Sequence, residues 1–260
     1  MMFRRFLERF RRHQWGAIAT ELTIVVLGVF IGMQVSNWNQ QREINQKAAV
    51  FTAHLKADLR HEDWRLQMII AYSREVRANA ERAIAALDSG VNIDDEDLLV
   101  SAYRASQYVN DLRARATYDE LISTGSIALI RDQDLRDKAM AIYNNDNIDN
   151  VVEEGKLSQY REAFRMGLPI EVQRALAKHC GDQPRASGDY AGIPDILGYP
   201  CSSGLSGQIV RDAVDSLRSN PAIVPALRLR IINLDTRIFN LTGFYRQSLG
   251  GLRDIAEEKP

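Results

Sequence analysis

Residues 15–38 read WGAIATELTIVVLGVFIGMQVSNW, and their reading decides the fold. The run is apolar from Ala17 to Val35, with Glu21, Thr23 and Gln34 among its polar interruptions. As a helix, Trp15 to Trp38 measures roughly 36 Å at about 1.5 Å per residue. The hydrocarbon core of a bilayer is about 30 Å thick. A tryptophan at each end suits the aromatic belts of the two interfaces. The stretch reads as one membrane-spanning helix, with Trp15 and Trp38 as interfacial anchors and membrane lipid as a partner.

A cleaved signal peptide would have an apolar region of about 7–15 residues and a small-residue cleavage site. This run is longer and ends in Gln34, Asn37, Trp38 and Asn39, so an uncleaved anchor is expected. Gly16 to Glu21, after a basic leader, also resembles a type IV prepilin processing site. Pilin heads are strand-rich, whereas the rest of this chain reads as helical.

Residues 1–14 hold Arg4, Arg5, Arg9, Arg11 and Arg12 against Glu8, and after the span the first basic residue is Arg42. The positive-inside rule places the N-terminus in the cytoplasm and residues from about 38 onward outside. Phe3, Phe6, Leu7 and Phe10 give the basic segment an apolar side suited to the membrane surface. The whole chain carries −1, so residues 36–260 carry −4 once the N-terminal +4 and Glu21 are set aside. That balance argues against a nucleic-acid partner.

Two features of the span exceed what anchoring requires. Gly28-x-x-x-Gly32 is a small-residue pattern that lets two helix backbones approach closely. Glu21 is costly, since an acid at the bilayer centre costs about 2.5–3.5 kcal/mol and less toward the ends. Glu21, Gly28, Gly32 and Ser36 are spaced by seven, four and four and share one face. The expectation is that this face meets a second copy or a partner membrane protein. The alternative is that Glu21 snorkels to the headgroups and the glycines are incidental.

The whole chain is 45% hydrophobic and 26% charged, ordinary for a globular protein, and the roughly 220 residues after the span are enough for a good core. From Ile44 through Ala48, Phe51, Leu55, Leu59, Leu66, Ile69, Val76, Ala80, Ala83 and Leu87, apolar residues recur at helical spacing without Pro or Gly. This predicts one long helix, continuous with the span. Gly90 ends it, and Asp94 or Asp95 caps a second helix with a stripe from Leu98 to Leu112. Asp94 to Asp97 lack EF-hand spacing and read as an acidic helix N-terminus. Tyr118, Leu121 and Ile122 form a short helix with Gly125 just past its end. Asp132 caps another, carrying Leu135, Ala139, Ile142 and Tyr143.

Glu21-Leu22 through Gly28, then Gln34 to Asn39, and later Glu120-Leu121-Ile122-Ser123-Thr124-Gly125, Ile130-Arg131-Asp132 and Tyr143-Asn144 resemble an uncharacterised bacterial family. Its members are small single-span inner-membrane proteins with an E-x-x-x-V-V-x-G anchor and an N-W-N exit. The likeness covers residues 15–40 and 117–145. It implies a predominantly helical, membrane-anchored protein; with the orientation set by the flanking charge, the expected location is the bacterial inner membrane with the C-terminal domain in the periplasm. It implies no activity.

Asn144 to Asn150 (NNDNIDN) is a polar stretch of poor helix propensity, and helical pattern resumes from Val151 to Phe164. Pro169 marks a boundary before a helix at 170–179. Residues 180–205 are irregular, with three prolines, five glycines and both cysteines, Cys180 and Cys201. An isolated pair 21 apart in an oxidising compartment predicts a disulfide, worth about 3 kcal/mol on the chain-entropy model. The loop is either a binding surface or a stapled connector. Ser206 caps a helix to Arg218, and a last helix runs from Pro221 through Leu249 and Leu252.

The fold class is all-α: an N-terminal transmembrane helix continuing into a long helix, with an antiparallel helical bundle outside the membrane. The organisation is a basic segment at 1–14, a span at 15–38, and a bundle at 39–256 with its irregular loop at 180–205.

Phosphate-binding glycine loops, H-E-x-x-H and G-x-S-x-G are not present in the sequence. His54, Asp58 and His61 share a helix face but read as a solvated flank rather than a metal site. No cofactor, metal or catalytic residue is expected. The expected function is non-enzymatic: a membrane-anchored interaction or scaffold protein that assembles with itself or a partner. A periplasmic sensory bundle, or a subunit of an ion-driven complex using Glu21, are the alternatives.

Overall fold

The computed structural model describes residues 2–110 and 113–246, with side chains from residue 19 onward apart from those of 146, 147 and 149. Every regular element among the described residues is helical. The nine α-helices are α1 (Met2–Leu87), α2 (Asp95–Ala105), α3 (Ala116–Ser123), α4 (Gln133–Tyr143), α5 (Asp146–Lys156), α6 (Gln159–Gly167), α7 (Ile170–Cys180), α8 (Gly207–Ser219) and α9 (Ile223–Phe244). Short 3-10 turns occupy Ser126–Leu129 and Pro194–Ile196. The all-helical class and the continuity of the apolar run with the long helix agree with the sequence. The Trp15 anchor, the apolar side of residues 1–14, Leu112, and the stretch from Leu249 to the end at 256 lie outside the described residues or side chains.

The described chain falls into two compact units. One comprises residues up to Ala53 together with Ala128–Arg131. Its helical part is α1, exposed at every described position before Ala48. The other comprises His54–Ile127 and the residues from Asp132 onward.

In the second unit, the α1 segment from Leu55 to Ala83 is the central element. Glu62, Asp63, Trp64, Arg65 and Leu66 are consecutive and all buried, so at this level the helix is covered around its whole circumference. A single apolar stripe, as the sequence suggested, is therefore too narrow a description. The main core joins Ala80 and Ala83 of α1 to Leu98, Leu99 and Ala102 of α2, Tyr160 and Phe164 of α6, Leu176 of α7, Val214 of α8 and Leu227 of α9. Within it α6 packs on α9 and α2 on α8.

The boundaries follow local chemistry. Gly90 adopts φ 70° after α1, and Val91 N–H bonds back to Ala85 O at 3.0 Å. Asp94 caps α2 by accepting from Glu96 N–H at 3.0 Å. Gly125 (φ 67°) follows α3 as expected. Asp132, Ser158 and Ser206 cap α4, α6 and α8. Two predictions need correction. α2 ends at Ala105, short of Val109, because Ser106 Oγ–H and Gln107 Nε2–H take the Tyr103 carbonyl that would continue the ladder. The NNDNIDN stretch is broken only at Asn144 and Asn145, and α5 starts at Asp146.

Candidate functional site

The first candidate surface is the apolar part of α1. From Leu22 (64% exposed) to Val35 (52%), the large side chains Ile24, Val25, Val26, Leu27, Val29, Phe30, Ile31 and Met33 are all more than half exposed. Monomeric soluble proteins rarely leave so large a contiguous apolar surface uncovered. The helix is long and apolar enough to cross a membrane, with mean hydropathy 1.7 over its best window and none of that window buried. Thr23 Oγ–H donates to Ala19 O at 2.7 Å, which satisfies the hydroxyl within its own helix. Glu21, Gly28, Gly32 and Ser36 are all exposed, and a Cβ placed on either glycine meets nothing within 4 Å. No described part of the chain packs on that face.

Past the apolar run, Trp38 is 63% exposed, and the Arg42 guanidinium stands 5.9 Å from its ring centroid. Gln41 and Arg131 both donate to Asn45 Oδ1.

In the second unit, the irregular segment at 180–205 is strapped down at several points. Cys180 and Cys201 stand at disulfide distance, with Cα atoms 5.4 Å apart. Arg104 of α2 is buried beside them. Its Nη2 donates to Tyr199 O at 2.7 Å, and its guanidinium lies 4.8 Å over the Tyr199 ring. Glu96 Oε1 accepts from Ser202 Oγ, Ser203 N–H and Ser203 Oγ at 2.8, 2.6 and 2.9 Å. Those bonds, the Ser203 N–H first, hold its carboxyl below the usual range. Farther out, Tyr72 OH donates to Asp182 at 2.8 Å and Tyr190 OH to Asp63 at 2.7 Å. Burial, then the Asp182 charge, raises the Tyr72 hydroxyl well above its ordinary value. Desolvation at this contact also raises the Asp182 carboxyl, although the residue's outer edge is exposed. These contacts tie the loop to α1 and α2, and its residues from Pro184 to Gly188 are exposed.

Arginines satisfy the C-terminal carbonyls of α2. Arg161 Nη1 donates to Ser106 O at 2.8 Å, Arg230 Nη2 to Gln107 O at 2.8 Å and Arg230 Nε to Ala105 O at 3.4 Å. Tyr160 OH donates to Ala102 O at 2.8 Å. A helix end leaves its last carbonyls without partners and carries partial negative charge, so cations suit it. Burial lowers Arg230 to about 10, with the Arg237 charge adding to it. The adjoining cleft lined by Tyr72, Gln107, Tyr108 and Arg230 has a free volume of about 0 Å³. This cluster ties helices together and has no space for a ligand.

A second polar cluster is built from α1 and the segments around α3 and α4. Glu62, 3% exposed, accepts from Ala114 N–H at 3.0 Å and Arg113 Nε at 3.3 Å. Arg113 also donates to Ile142 O at 2.9 Å and lies 5.3 Å over the Tyr143 ring. Tyr143 stacks on Tyr118 with centroids 4.7 Å apart, and its hydroxyl donates to Ala114 O at 2.7 Å.

Of the sequence candidates, the structure brings Cys180 and Cys201 together and leaves Glu21, Gly28, Gly32 and Ser36 unpartnered by described residues. The His54–Asp58–His61 series is not a uniformly solvated flank. Asp58 accepts from Thr117 N–H at 3.3 Å and His61 Nδ1 lies 2.5 Å from Ser187 Oγ, while His54 is exposed. Among the described residues no His, Cys, Asp and Glu group could hold a metal ion. Sequence reasoning missed the buried arginines. Arg230 and Arg237 stand with Leu227, Leu234 and Leu241 at alternating spacings of three and four, which is the signal that could have found them.

Fold and surfaces together define an all-helical protein with one helix apolar enough to cross a membrane. Residues 21–161 match the Family of unknown function (DUF6090), and the chain belongs to that family. The match starts at Glu21 and takes in the apolar run and the Glu62–Arg113–Tyr143 cluster, but not the 180–205 loop. No curated protein and no solved structure matches the chain.

Proposed function

We propose that this protein is a single-span membrane-anchored scaffold, not an enzyme, whose helical bundle and span assemble with a second copy or a partner membrane protein. The reading places it in the bacterial inner membrane with its N-terminus in the cytoplasm and the bundle in the periplasm. One observation carries it: the exposed, predominantly apolar surface from Leu22 to Val35. Left in water that surface would drive aggregation, and lipid is the solvent that covers it. The five arginines before the span support the orientation. The unpacked Glu21–Gly28–Gly32–Ser36 face supports the assembly.

The test is extraction of native membranes with alkaline carbonate, then mild detergent, followed by sizing of the detergent-solubilised species. Retention through carbonate and a detergent particle larger than a monomer are expected. Release by carbonate would end the anchor, and a lone monomer in detergent would end the scaffold reading.

A further inference from the structure

Directly after the apolar run, α1 carries a groove of about 400 Å³ whose described lining is Trp38, Gln41, Arg42, Asn45, Gln46 and Ala49. The lining has one aromatic ring, one guanidinium and three side-chain amides. Asn45 Oδ1, which accepts from Gln41 at 3.0 Å, also accepts from Arg131 and so ties a second guanidinium to the groove wall. Among the described residues no carboxylate pairs with Arg42 or Arg131. Glu43, next to Arg42, is held by Lys47 at 2.8 Å, and Asp132, next to Arg131, accepts from Leu135 N–H at 3.1 Å as the cap of α4.

Position along the helix adds to the chemistry. If Trp38 marks the interface, Arg42 lies about 6 Å beyond it. The headgroup layer is about 5–8 Å deep on each side of the hydrocarbon. Guanidinium groups bind phosphate oxygens through paired N–H donors, and amides supply neutral donors to ester and glycerol oxygens. We propose that this groove binds the headgroup of an anionic glycerophospholipid, with Arg42 and Arg131 on its phosphate and Trp38 against the glycerol level. The proposal rests on the membrane reading above. It adds a selective lipid site to a generic anchor.

The full chain in detergent is titrated with phosphatidylglycerol or phosphatidylcholine, and bound lipid is counted by native mass spectrometry. Phosphatidylglycerol binds in preference to phosphatidylcholine. Arg42→Gln and Arg131→Gln each weaken it about fivefold, the effect of one basic residue near a membrane surface. Lys47→Gln, outside the groove lining, changes binding little. All three residues are exposed on helix or turn surfaces, and circular dichroism checks that the variants fold. Equal binding of the two lipids, an equal loss in Lys47→Gln, or displacement of the lipid by excess inorganic phosphate would overturn the site. Those results leave carbonate resistance unchanged, so they are distinguishable from failure of the anchor itself.

Discussion

Glu62 and Arg113 meet at 3.3 Å across 51 residues of sequence, both nearly sealed from solvent. The same carboxylate accepts the Ala114 N–H, and Arg65 stands 3.9 Å away on its own helix. Glu62→Gln removes the charge that balances these guanidinium groups. Breaking one side of a buried pair typically costs about 3–5 kcal/mol. Chemical denaturation of the full chain in detergent should show a loss of that order, while exposed Glu81→Gln should cost well under 1 kcal/mol.

The buried phenols set an alkaline limit. Burial raises Tyr72, Tyr143 and Tyr160 above their ordinary value and Tyr103 to about 12. The folded state therefore keeps protons that the unfolded chain releases above about pH 10. The stability these groups contribute is complete below that pH and is lost as pH rises through about 12 for Tyr103. The lowered Arg230 and Arg161 act in the opposite sense, as two groups against four. The unfolding midpoint should fall steeply between about pH 10 and 12, while phenolate absorbance rises. Tyr160→Phe should make the fall shallower, after an initial loss of about 1 kcal/mol for the bond to Ala102 O. A flat profile to pH 12 would contradict this account.

Replacing Cys180 and Cys201 together by Ala should destabilise the chain by about 3 kcal/mol. Amide exchange should report where. Peptides covering His61 to Tyr72 should lose protection, because Ser187, Tyr190 and Asp182 are the loop residues that touch them. Unchanged protection there would mean that the strap holds without its covalent base.

Gly28→Ile together with Gly32→Ile tests the assembly face. A Cβ at either position meets no described residue within 4 Å, so the bundle should fold as before. Energy transfer between labelled copies in membranes should drop, by the equivalent of about 1–2 kcal/mol of helix association. Unaltered transfer would remove the self-association half of the proposed function.

Much of this was legible in the sequence because its signals are local. The long apolar helix, the caps at Asp94, Asp132 and Ser206, and the turn at Gly125 each depend on residues close together in sequence. The burial of α1 around its whole girth at residues 62–66 was not legible, since Glu62, Asp63 and Arg65 look like solvent-facing residues until their distant partners are known. Arg104 and Arg230 were missed for the same reason. Their partners are backbone carbonyls in other segments, those of Cys180 and Tyr199 for Arg104 and those of Ala105 and Gln107 for Arg230. The Cys180–Cys201 pairing was readable because only one pairing exists. The anchoring of the loop on α1 required knowing that residues 63 and 190 are neighbours.

The central segment of α1 also sets an order of events in synthesis. Tyr72 waits for Asp182, 110 residues later, and Asp63 for Tyr190, 127 residues later. At about 5–20 residues per second, this helix leaves the ribosome several seconds before the residues that cover it. Contacts so distant in sequence are slow to form. The nascent chain therefore presents Trp64, Leu66 and Ile69 uncovered during that interval, and the window for capture by a chaperone or for aggregation opens there.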